Sequence, residues 1–107
     1  MFIVLLEFST HADHASQHLE GHARWLSRGF DDGVFLLAGS LQPKRGGTIL
    51  AHATTRDELE RRVEADPFVF AKVVSAQILE VTASNADARL GFLLAGAPSS
   101  AARSEAT

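Results

Sequence analysis

The chain has 107 residues, with 10 basic and 13 acidic side chains for a formal charge of -3, and 46% of it is hydrophobic. That is one domain able to bury a core, at a size where a partner subunit can add to stability. There is no block of basic residues and no cysteine, which argues against nucleic-acid binding and excludes disulfides, thiolate chemistry and cysteine-held metal centres.

Phe2 to Phe8 is rich in Ile, Val, Leu and Phe and reads as a buried strand. Its apolar run Phe2 to Leu6 is too short to cross a membrane, has no basic leader and is followed at once by Glu7, so a cytoplasmic protein without membrane association is expected. Thr10 with Asp13 gives a capping-box signal. Ala15, Leu19, Ala23, Leu26 and Phe30 then recur at helical spacing, predicting an amphipathic helix to about Arg28 with those side chains inward. Asp31-Asp32-Gly33 breaks the pattern, and Val34 to Ala38 reads as a second strand.

Gln42 to Gly47 is turn chemistry, with Gly46-Gly47 expected in a flexible hairpin tip, and Thr48 to Ala53 reads as the third strand. Thr55-Arg56-Asp57-Glu58 is a strict capping box opening a second helix to about Ala65, with Asp57–Arg61 and Glu58–Arg62 as surface charge pairs. Asp66-Pro67 ends that helix, and Lys72 to Val81 reads as a fourth strand. The pentapeptide of residues 35–39 recurs at 92–96 with unmatched flanks and is read as coincidence. Residues 84–96 are expected to form an extension packed on the domain or on a dimer, and 97–107 a disordered tail.

The order β-α-β-β-α-β is the split βαβ, or ferredoxin-like, arrangement of the α+β class, an antiparallel sheet with both helices on one face. The first two strands are apolar on both sides, so the uncovered face needs a partner. A homodimer packed sheet to sheet, a dimeric α+β barrel, is the expected solution.

Four histidines, His11, His14, His18 and His22, step by three, four and four residues along the first helical stretch. Histidines at that spacing can chelate a metal, but the His-Glu-x-x-His pattern is absent and no carboxylate completes a set, so no metal is expected. His11 and His14 read as exposed bystanders. His22, at the edge of the apolar stripe, is the candidate for a partly buried acid or base. Ser40 reads as a hydrogen-bond donor, since no Gly-x-Ser-x-Gly elbow surrounds it to make it a nucleophile. Gly46-Gly47 after Lys44-Arg45 lacks the phosphate-loop pattern, although Lys44 and Arg45 could draw an anionic ligand to a pocket rim. Trp25 is expected to pack first and line a pocket second, Phe68 and Phe70 to wall a cavity or a dimer seam, and His52 to lie on a strand surface.

Taken together, His22-Ala-Arg-Trp-Leu, Asp32-Gly33, Leu36 to Ser40, Gly46-Gly47 and Asp66-Pro67-Phe68 resemble the YCII-related family over roughly residues 2 to 81. The resemblance implies a dimeric ferredoxin-like barrel of 1–83 with a small pocket, and it implies a histidine and an aspartate, here His22 and Asp66, as an active-site pair. Members often carry Gly-Pro where Gly39-Ser40 stands. The resulting expectation is a cofactor-free enzyme performing an elimination or isomerisation on a small organic molecule. His22 would be its acid or base, Asp66 would orient the ring, and Ser40, Trp25, Arg45 and Phe68 would contact the substrate. The alternative is a non-catalytic dimer binding a small metabolite. An oxygenase-like role is weaker still.

Overall fold

The computed structural model describes residues 1–94. Four strands, β1 (Phe2–Phe8), β2 (Phe35–Leu41), β3 (Gly46–Ala51) and β4 (Val74–Glu80), lie in the order β2-β3-β1-β4 with every neighbouring pair antiparallel. Helix α1 (Ala15–Asp31) follows β1, while α2 (Arg56–Glu64) and the one-turn α3 (Pro67–Phe70) follow β3. The α+β, ferredoxin-like order read from the sequence is the observed one.

Alternation in β1 decides where the core lies. Phe2, Val4 and Leu6 are buried with Trp25, Leu59, Val63 and Phe68 from the helices, while Ile3 and Leu5 turn to the other face. On that face the register sets Ile3 beside both Leu50 and Leu79, and Leu50 beside Leu37. An apolar row therefore crosses all four strands on the side away from the helices, with Leu37 and Leu79 exposed.

Several boundaries differ from expectation for identifiable reasons. The Thr10–Asp13 capping box does not form. The chain instead makes a 3-10 turn over Ala12–His14, and α1 begins after His14 with no side-chain cap. Ser9 holds this approach, accepting from the His11 backbone N–H at 3.0 Å while its hydroxyl donates to the Lys72 and Val73 carbonyls ahead of β4. The inward face of α1 is also rotated. Leu19, Ala23 and Phe30 are exposed, whereas Trp25 and Gly29 are buried. The large indole is the better anchor, and it donates to the Arg62 carbonyl at 2.8 Å.

The glycines expected at the hairpin tip lie in β3, and the turn is Gln42 to Arg45. Gly46 has φ of 134° and a Cβ there would stand 1.9 Å from the Leu6 carbonyl oxygen, so this position admits only glycine without moving β1. The capping box at Thr55 forms as expected. The two surface pairs do not: Arg62 reaches Asp32 at 2.8 Å, and Glu58 is occupied by Thr54 and the Thr55 backbone N–H.

After β4, a 3-10 stretch (Ala88–Leu93) brings Phe92 edge-on to His52, with ring centroids 5.5 Å apart. The tail expected over 97–107, and the last two residues of the 84–96 extension, lie outside the described residues. Among the described residues no helix is long and apolar enough to cross a membrane.

Candidate active site

The site grows from the junction of α2 and α3. Asp66 adopts an extended conformation and caps α3, accepting from the Phe68 backbone N–H at 3.1 Å, with Pro67 in the first helical position, where its missing N–H costs nothing. Helix α3 rests on α1 at Gly21, where an added Cβ would come 3.1 Å from Pro67. That close approach sets His22, the next residue of α1, against Asp66, the residue before Pro67.

His22 Nδ1 lies 2.8 Å from Asp66 Oδ1. The Asp66 side chain is 0% exposed and that of His22 15%. An ionised carboxylate only accepts, so in this contact Nδ1 carries a proton and Nε2 is the ring nitrogen that Asp66 leaves unengaged. Phe68, whose own N–H holds Asp66, stacks on the imidazole at 4.1 Å with the planes 10° apart, and the Trp25 indole lies 5.7 Å away at 26°. The ring is thus fixed by one hydrogen bond and two aromatic surfaces. Asp66 Oδ2 is buried and has no hydrogen-bond partner among the described residues. A buried polar atom left this way costs on the order of 1–3 kcal/mol, and such costs collect at sites rather than in ordinary cores.

His22 and Phe68 border a cavity of about 360 Å³ between α1 and the sheet. Leu19 and Leu26 of α1, Leu6 and Phe8 of β1, Val74 of β4, and the β2–β3 segments Ala38–Ser40 and Gly46–Gly47 complete it. The lining is largely apolar, with His22 and Ser40 its polar side chains. It can hold a small ring, present it to one imidazole nitrogen and offer one hydroxyl.

Of the residues singled out from the sequence, His22, Asp66, Ser40 and Phe68 come together here. Trp25 does not line this cavity. At 2% exposure it is a core residue behind His22. Arg45 is not at its wall either: it pairs with Glu7 at 2.7 Å on the exposed hairpin. Phe70 is exposed. Of the histidine ladder only His18 and His22 lie within α1, because the preceding 3-10 turn takes His14 and leaves His11 ahead of it. Helix α3 and the aromatic stacking were missed. Asp-Pro is itself a helix-start signal, a capping side chain before proline at the first position, and it could have revealed α3.

Comparison with known proteins bears on the same region. Residues 1–83 match the YCII-related domain. No curated protein matches the sequence. Among solved structures, the fold is similar to 5-chloro-2-hydroxyhydroquinone dehydrochlorinase from Burkholderia phenoliruptrix AC1100, in complex with 2,5-dihydroxybenzoquinone. The TM-score is 0.62 at 15% identity, covering 77% of this chain and 94% of that one.

Proposed function

The chain belongs to the YCII-related family, and on that premise we propose that it is a small enzyme that moves a proton on a small cyclic organic substrate, in an elimination or isomerisation. The observation that carries the proposal is the 2.8 Å contact between His22 Nδ1 and a fully buried Asp66 carboxylate beside a mostly apolar cavity. His22 Nε2 takes a proton from a substrate hydroxyl or C–H group. The electron pair left behind forms a new double bond, and in an elimination the leaving group departs with its own pair. Asp66 offsets the charge that develops on the imidazole, and Phe68 keeps the ring in place through the transfer. Ser40 hydrogen-bonds a substrate oxygen. This chemistry calls for no cofactor. The structural neighbour, named as a dehydrochlorinase and bound to a hydroxylated quinone, supports both the reaction class and a flat, oxygenated ring as substrate.

The protein acts as a homodimer in this reading, because the row Leu37–Leu50–Ile3–Leu79 presents an apolar face that two helices on the opposite side cannot cover. Light scattering should return twice the mass of the chain, and Leu37→Glu should shift it toward monomer.

The proton-transfer reading is tested by nitrogen NMR of His22 together with a turnover assay on chlorinated hydroxyhydroquinones. The expected result is a proton on Nδ1 with Nε2 free, and the loss of that preference in Asp66→Ala, which removes the acceptor oxygen. Chloride release, or turnover of a related ring, should fall at least about 100-fold in His22→Ala, the usual range for a lost general base. A neutral ring protonated at Nε2 would remove the base from the cavity and end the proposal.

A further inference from the structure

Trp25 also borders a second and more open cavity of about 520 Å³, between the C-terminal half of α1 and helix α2. Arg28, Arg61 and Arg62 line it together with one carboxylate, that of Glu58, and the Thr54 side chain. The balance is cationic on a protein whose overall formal charge is -3. Arg62 is already engaged, donating to Asp32 at 2.8 Å and lying over the Phe35 ring at 5.8 Å. Glu58 accepts from the Thr55 backbone N–H at 3.3 Å and from the Thr54 hydroxyl at 3.2 Å. Arg28 and Arg61 form no ion pair with any described residue, although Asp57 stands one helical turn before Arg61. Two guanidinium groups from different helices therefore line one cleft without a direct ion pair among the described residues, against the single carboxylate of Glu58.

We propose that this cleft is a second binding site, separate from the His22 cavity, for a small molecule carrying a phosphate group. Guanidinium forks match the geometry of phosphate oxygens, and two such cations balance the charge of about -1.5 to -2 that a phosphate monoester carries near neutral pH. Trp25 is the sole tryptophan of the chain and forms part of the wall, so its emission reports directly on occupancy.

The test uses the full chain and inorganic phosphate as probe, with ionic strength held constant by chloride. Trp25 emission and the Nε–H signals of Arg28 and Arg61 are followed through the titration. A saturable change in both is expected. Binding should weaken at least about tenfold in Arg28→Gln/Arg61→Gln, the loss that goes with removing charge-assisted hydrogen bonds, and stay unchanged in His22→Gln. Both arginines are exposed, and the double variant should melt with the wild type. Arg28→Lys/Arg61→Lys, which keeps the charges, should recover part of the affinity. A response that chloride reproduces, that survives the double glutamine variant, or that disappears in His22→Gln instead would overturn the proposal.

Discussion

Two aspartates do the same local task at opposite ends of the fold. Asp66 caps α3 through the Phe68 N–H at 3.1 Å, and Asp87 caps the 3-10 stretch after β4 through the Arg89 N–H at 2.9 Å. Each also has a cationic or potentially cationic neighbour, His22 for Asp66 and the Arg89 guanidinium, at 2.9 Å, for Asp87. The difference is burial. Asp66 is wholly removed from solvent with one oxygen unpartnered among the described residues, whereas the Asp87 side chain is 54% exposed. Water supplies Asp87 with whatever its cap does not. Asp66 depends on the protein alone, so its geometry is fixed and its partner imidazole is fixed with it. An identical capping motif is surface punctuation in one place and the base of a candidate site in the other.

That contrast makes graded predictions. Phe68→Ala should cost the most, about 3–5 kcal/mol in chemical denaturation, because it removes a buried ring and the surface on which His22 stacks. Asp66→Ala should cost about 2–4 kcal/mol by the same measurement. The sum combines a lost helix cap with the loss of a buried hydrogen bond to a charged group. Asp66→Asn, which keeps Oδ1 as acceptor for both the Phe68 N–H and His22 Nδ1–H, should be milder, removing the negative charge beside the imidazole but not the acceptor. If Asp66→Ala unfolded no more readily than the wild type, burial would not be what separates the two aspartates. Trp25→Phe should cost about 1 kcal/mol through the hydrogen bond to the Arg62 carbonyl, leaving the aromatic packing behind His22 in place.

The fold was legible in the sequence because its signals are periodic and long. Seven apolar-rich residues in β1, the strict box at Thr55 and the Asp-Pro corner each force a local geometry that the tertiary structure keeps. The candidate pair was legible as two residues but not as a contact. The contact depends on Gly21 admitting Pro67 and on α3, a single turn too short to leave a period. The inward face of α1 was misread for a related reason: hydrophobicity alone cannot rank Leu19 against Trp25, and the neighbouring layer chose the residue with more surface to bury. The repeated pentapeptide makes the same point more sharply. Residues 35–38 are strand, while 92–93 continue a 3-10 turn. The same Phe-Leu pair takes two conformations because Phe35 and Leu36 lie in a strand that β3 pairs with, whereas Phe92 and Leu93 lie in the 3-10 stretch that sets Phe92 against His52.

The smallest effect completes the comparison. Arg89 holds the Asp87 carboxyl below its ordinary value of 3.8, through its side chain first and its backbone N–H second. A carboxyl lowered in the folded state contributes stability that is present above the unfolded value and lost as the pH falls through the folded one. Asp87→Ala should therefore leave the melting temperature unchanged within error at pH 7, since the group is exposed and its pairing is screened by solvent. Any difference from the wild type should vanish further on acidification below the ordinary value. The readout that does move is local: the Arg89 amide should lose its hydrogen-exchange protection in the variant while the β1 amides keep theirs. A global loss of stability from Asp87→Ala would mean that the stretch after β4 is tied to the core as firmly as the Asp66 corner, and exposure would no longer distinguish the two caps.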